Sequence, residues 1–202
     1  AVSNRPGLVG SLLIGLTFAK SFAFAQHIPL IGINHLEGHI YAAHLEHEIE
    51  FPAVSLVVSG GHTALYLSKD HVTHTLIGST IDDAAGEAFD KVSSILGLGY
   101  PGGPAIDKAA RNGDRSRFDF PRTFIKDNNL KFSFSGLKTA VLYHCQGHSS
   151  GRTALRDIDD QEKNDIAASF QEAVVDVLFA KVQKAVHEYK VPSLIIGGGV
   201  AC

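Results

Sequence analysis

The sequence predicts an α/β protein in two unequal parts, residues 1–50 and 51–202, on three observations. Helical and strand-like spacings alternate from the start of the chain. Apolar strand-like runs end in glycine turns at Ser59-Gly60-Gly61 and at Gly197-Gly198-Gly199. A break at Pro52 then separates the helix-rich opening from a run of short strands.

Each element follows from local pattern. Pro6 stands where a first helical residue belongs, and Leu8, Leu12, Leu16, Ala19 and Ala23 keep helical spacing, with Phe22 alongside. Ile28 to Ile33 reads as a buried strand, and Asn34 as the N-cap of a helix running to about Glu48. Beyond Pro52, Ala53 to Val58 is a strand, Ser59 to Thr63 a turn, and Ala64 to Ser68 its hairpin partner. Val72 to Ile77 completes an antiparallel meander. Asp82 and Asp83 open a helix through Phe89, Val92 and Ile95 that Gly97 stops. Tyr100-Pro101-Gly102-Gly103-Pro104 turns into a short helix ended by Asn112-Gly113. Residues 113–131 are irregular and polar, Phe132 to Phe134 is strand-like, and Ser135 caps a helix to about Cys145. A loop covers 147–160. Ile166, Phe170, Val174, Leu178, Val182 and Val186 step by four, the stripe of a core helix with no cofactor role. Leu194 to Ile196 is a buried strand.

Composition excludes several classes. The chain of 202 residues is 45% hydrophobic and 19% charged, ordinary for a globular protein with a real core. No run is long enough for a membrane span, because Gly10, Ser11, Gly15, Lys20 and Ser21 interrupt Leu8 to Ala25. The opening residues lack the order of a signal peptide. Cys145 and Cys202 make neither a metal knuckle nor a disulfide framework, so a cytoplasmic location is expected. The net charge is −3, yet residues 108–138 carry eight Lys or Arg against three acids, +5 against −8 for the remainder. That segment is either a solvated face or a patch for a polyanion. The chain has no methionine and stops just after a glycine turn, so it is expected to be a piece of a longer protein.

Chemistry concentrates in Asn34-His35-Leu36-Glu37-Gly38-His39. His35 and His39 share a helix face at the spacing that lets two imidazoles hold one metal ion. A zincin places its glutamate directly after the first histidine; at about 100° per residue that position lies roughly 60° from the second. Glu37, one place later, lies roughly 160° from both, so a protease reading loses its base. The glycine turns let backbone N–H groups crowd an anion, and no Walker lysine follows them. Glu87 and Asp90 share a helix face, with acceptors suited to a ribose or an amide. Gly86, within the same helix, costs about 1 kcal/mol relative to alanine, a sign that something approaches the backbone there.

Six ordered motifs carry a family. They are Asn34 to His39, Val58-Ser59-Gly60-Gly61-His62-Thr63, Asp82 to Lys91, Tyr100 to Pro104, Phe132-Ser133-Phe134-Ser135-Gly136-Leu137-Lys138-Thr139, and Ile196 to Val200. Over nearly its whole length the chain resembles the bacterial TsaD family of tRNA N6-adenosine threonylcarbamoyltransferases, once described as O-sialoglycoprotein endopeptidases. The resemblance implies a two-lobed actin-like ATPase fold, incomplete here at both termini. It implies transfer of a threonylcarbamoyl group from threonylcarbamoyl-AMP to N6 of adenosine 37 in tRNAs that read codons beginning with A. It implies a divalent metal, iron or zinc, on His35 and His39, and substrate contacts at Val57, Val58, Ser59, Gly60, Gly61, Asp90, Gly103 and Asp107. TsaB-like and TsaE-like partner subunits are implied as well. The other classes are a metalloprotease, an ATP-dependent sugar kinase, which needs no paired histidines, and a non-catalytic actin-like scaffold, which is expected to lack them.

Overall fold

The computed structural model describes residues 1–146 and 157–201; Cys202 and most of the expected loop at 147–160 lie outside them. Two sheets organise the chain. The smaller pairs β1 (Val2–Arg5) with β2 (Gly32–Asn34) in parallel, and α1 (Val9–Ala25) connects them. The larger has the order β5-β4-β3-β6, built from β3 (Ala53–Val58), β4 (Thr63–Ser68), β5 (His74–Ser79) and β6 (Ser193–Gly197). β3 pairs antiparallel with β4 and parallel with β6, aligning Val57 with Ala64 on one side and Gly197 on the other.

β3 is buried along its whole length, as its mostly apolar run requires, and its one polar side chain, Ser55, pairs with Ser68 Oγ at 2.8 Å. One face of the sheet receives α3 (Ala85–Leu96), α5 (Ser135–Gln146) and α6 (Asp160–Tyr189) in a core that includes Val54, Leu56, Leu65, Val92, Phe132, Ile166 and Phe170. α4 (Gly102–Ala110) lies against α3 and α6. The stepping stripe of α6 enters this core as expected. The other face receives α2 (His35–Ala42), whose Leu36 and Ile40 pack on Ala53, Val57 and Ile195.

The departures from expectation have local causes. No strand was expected at Val2–Arg5, and α1 begins at Val9, two residues beyond Gly7, rather than at Pro6. The strand expected over Ile28 to Ile33 is confined to Gly32–Asn34 and is not buried: Ile28 is 50% and Ile31 60% exposed. Among the described residues the sheet there has two strands, too few to cover an apolar run. α2 stops at Ala42 and tightens into a 3-10 turn, Ala43–Leu45, short of Glu48, because Glu46, His47 and Glu48 are exposed and offer no apolar face. β5 starts two residues later than expected because Asp70 Oδ1 accepts from the amides of Val72 and Thr73, using them in the hairpin tip. Phe132 to Phe134 form no strand, only a bridge between Phe132 and Thr80, while both rings are buried in the core. β6 is half-buried rather than buried, since it stands at the sheet edge with Leu194 and Ile196 exposed on one side.

Candidate functional site

Asn34 caps α2 as its position predicts: Oδ1 accepts from the Leu36 amide at 3.0 Å, while Nδ2 donates to Glu37 Oε1 at 3.0 Å. The cap ties Glu37 to the first turn. His35 and His39 then meet one turn apart, Nε2 to Nε2 at 3.1 Å, with ring planes at 63°. Two imidazoles on one tetrahedral zinc, each at 2.0–2.1 Å, have their nitrogens about 3.3 Å apart, so the pair fits a shared ion. Among the described residues, no group of three or more His, Cys, Asp or Glu converges to complete such a site.

His62 belongs to the same electrostatic neighbourhood. Burial first, then the charge of His35, pulls its pKa below the usual histidine value. Burial, then His35 and His62, does the same to His39. The lowered values of His39 and His62 favour the neutral imidazole, the form that ligates a metal. The pair opens on a shallow cavity of about 410 Å³ lined also by Val2, Ile33 and Gly38.

The expected substrate residues gather elsewhere. Gly60, Asp90, Gly103 and Asp107 line one cavity of about 610 Å³, within the usual range for ligand pockets. Val57 and Val58 are buried strand residues that do not line it, Val57 packing with α2 on the other face of the sheet, and Ser59 and Gly61 do not line it either. Ser59 instead closes its own turn, with its amide donating to the His62 carbonyl at 2.8 Å and its Oγ accepting from the His62 amide at 3.2 Å. The histidine pair does not line this cavity either; the turn after β6 lies between, with Gly197 packed on the His39 carbonyl and Gly199 on the cavity wall.

Close backbone approach builds the cavity. A Cβ on Gly86 would stand 2.7 Å from Gly60 Cα and from the Ser59 carbonyl oxygen. The group that crowds Gly86 is therefore the glycine turn after β3, and the N-terminus of α3 sits on that turn. Thr63 Oγ1 accepts from the Ala85 amide at 2.9 Å and caps the helix. Gly198, at φ +104, brings the β6 turn against the Val58 carbonyl. Asp90 Oδ1 accepts from the Gly102 amide at 2.8 Å, so the carboxylate expected to bind substrate also caps α4; Oδ2 makes no hydrogen bond among the described residues. Glu87, on the same face, bridges to Lys91 at 2.8 Å.

Asp82 and Asp83 do other work than opening α3. Asp82 accepts from Ser133 Oγ at 2.6 Å, Ser135 Oγ at 2.7 Å and the amides of Phe134 and Ser135 at 2.9 and 3.3 Å. It caps α5 from across the fold, and Ser135 is the first residue of that helix rather than its cap. Asp83 pairs with Lys91 at 2.7 Å.

Sequence reasoning missed the α6 wall of the cavity, formed by Gln171, Val174, Val175 and Leu178. Val174 and Leu178 belong to the stripe assigned wholly to the core. The available signal was a second apolar row at Val175 and Phe179, off that stripe and more than half exposed.

Strand-end glycine turns and the N-termini of α3 and α4 thus meet around a ligand-sized cavity in an α/β chain, with the paired-histidine helix on the other side of the β6 turn. The family described as TsaD, tRNA N6-adenosine threonylcarbamoyltransferase, matches residues 1–202, and the chain belongs to that family, whose fold is the actin-like ATPase fold. It is 53% identical over 202 residues to the tRNA N6-adenosine threonylcarbamoyltransferase of Syntrophomonas wolfei, 50% to that of Syntrophotalea carbinolica and 48% to that of Thermosipho africanus. All of this chain is covered in each case, but only 58%, 57% and 59% of those relatives respectively. No helix among the described residues is long and apolar enough to cross a membrane.

Proposed function

We propose that the protein transfers a threonylcarbamoyl group from threonylcarbamoyl-AMP to N6 of adenosine 37 in tRNAs reading ANN codons, and that the 610 Å³ cavity seats the adenylate. The observation that carries this reading is the gathering of Gly60, Asp90, Gly103 and Asp107 around one cavity in a chain that matches the transferase family from end to end. The exocyclic amine of adenine is a weak nucleophile and the carbamoyl–phosphate anhydride a reactive electrophile. Positioning the two and stabilising developing negative charge is therefore the main task.

The chain's residues divide that task. The glycine backbones at 60, 86 and 199 give the anionic end of the ligand close access to main-chain groups. Asp90, fixed through Oδ1, presents Oδ2 as an acceptor for hydroxyl groups. His35 and His39 would hold the divalent ion, iron or zinc, which when bound supplies Lewis acidity or a template for oxygen ligands. A proteolytic reading finds no base beside the pair, because Glu37 is bonded back to Asn34. The setting is the cytoplasm, with TsaB-like and TsaE-like subunits as partners.

Mass spectrometry of tRNA nucleosides from a strain lacking the gene tests the activity. Threonylcarbamoyl-adenosine should disappear and return on complementation; its persistence would sink the reading. Replacing Asp90 by Ala should weaken AMP binding and leave metal content unchanged, whereas His35→Ala with His39→Ala should do the reverse, with metal read by elemental analysis.

A further inference from the structure

We infer that Gln171 is the base-reading residue of the cavity, selecting adenine by a paired hydrogen bond from its side-chain amide; this rests on the reading of the cavity as an adenylate seat. Gln171, Val174, Val175 and Leu178 stand at i, i+3, i+4 and i+7 along α6 and therefore share one helix face, which forms a wall of the cavity. Three of the four are apolar. Pro101, Gly103 and Pro104, at the start of α4, and Asp107 within it line the same cavity. An apolar helix face with two prolines in the same lining suits a flat aromatic ring better than a phosphate, whereas the glycine turns offer main-chain groups to an anion.

Gln171 and Asp107 also line an adjoining cavity of about 370 Å³, which places both at the same end of the larger one. Asp107 is engaged there by Arg111, whose Nη2 and Nε donate to Oδ2 at 2.7 and 3.2 Å. The side-chain amide of Gln171 makes no hydrogen bond among the described residues, so it is available to a ligand. A carboxamide offers one acceptor and one donor side by side. Adenine presents the complementary pair, the N6 amino donor next to the N7 acceptor. Guanine presents two acceptors, O6 and N7, of which the amide can satisfy only one.

The test is calorimetric titration of the protein with AMP and with GMP, repeated for Gln171→Ala and for the near-isosteric Gln171→Met, which keeps the length but loses both the donor and the acceptor oxygen. The unaltered protein should prefer AMP by about tenfold or more, as one good bidentate base contact allows. Both variants should bring the two affinities within about threefold, chiefly by weakening AMP, with unchanged circular dichroism and melting. An undiminished AMP preference in both variants would overturn the role of Gln171 and leave the adenylate seat standing. AMP binding that ignores Asp90→Ala, or no AMP binding by the unaltered protein, would overturn the seat and this inference with it.

Discussion

Lys181 and His44 show how much of this molecule depends on single polar groups inside it. Lys181 is 1% exposed, and its ammonium donates to the carbonyls of Asn129 at 2.7 Å and Asp127 at 3.3 Å. Burial, then the charge of Lys184, pulls its pKa below the ordinary lysine value. Lys181→Ala would strand two carbonyls as well as open a cavity, and should cost about 2–4 kcal/mol in urea unfolding. His44 stacks with Phe51 and stands edge-on to His71, with centroids 5.5 and 4.6 Å away, and also faces Tyr41. Its Nε2 is buried with no hydrogen-bond partner among the described residues. Burial, then the charges of His71 and His74, lowers its pKa. The folded state thus binds fewer protons than the unfolded chain. Stability from neutral His44 is full above the unfolded value of about 6.5 and is lost as pH falls through it toward the folded value. The urea midpoint should fall between pH 7 and pH 5.5, and fall less in a His44→Phe variant; equal slopes would assign the effect to the other histidines.

At the scale of elements, contacts between elements decide more than propensity. Gly86→Ala should gain about 1 kcal/mol of helix propensity. Against that stands overpacking of about 1–3 kcal/mol, and the atoms it meets at 2.7 Å are main chain, which cannot swing aside. The clash should win, with net destabilisation of about 1–2 kcal/mol and weaker AMP binding, read by calorimetry alongside urea unfolding. The same distinction separates what was legible in the sequence from what was not. β3 and α6 are readable because their apolar patterns match what buries them, and α2 because Asn34 caps it locally. Asp82 looked like an opener of the next helix, but its partners lie more than 50 residues away, which no local pattern reveals. Ile28 to Ile33 looked buried because apolar content signals burial only when a neighbour covers it. The reason for Gly86 was readable as close approach, whereas the approaching group, the turn at Ser59-Gly60, required the fold. The cavity wall on α6 stayed hidden because Val174 and Leu178 serve the core and the cavity at once.

At the scale of the whole molecule, the local excess of positive charge must be recounted through its ion pairs. Of the eight cations in residues 108–138, Arg111 lies on Asp107 at 2.7 Å, Arg115 on Glu172 at 3.7 Å, and Arg122 on both Asp119 and Asp176 at 3.0 Å. Lys108, Arg117, Lys126, Lys131 and Lys138 make no ion pair among the described residues. Those five are the ones free to displace counterions from a polyanion, whereas engaging Arg111 or Arg115 would first separate it from a carboxylate. If tRNA runs over this surface, reversing Arg117, Lys126 and Lys131 to glutamate should weaken binding strongly. It should also flatten the dependence of log affinity on log salt by roughly two, since each lost contact to single-stranded phosphate removes about 0.7. Reversing Arg111 and Arg115 should flatten it less and disturb AMP binding through Asp107. The measurement is fluorescence titration of labelled tRNA between about 50 and 200 mM salt, with melting recorded for each variant. A triple variant that melts normally and keeps the original slope would show that the five cations are only solvated surface and that tRNA approaches the cavity from another side.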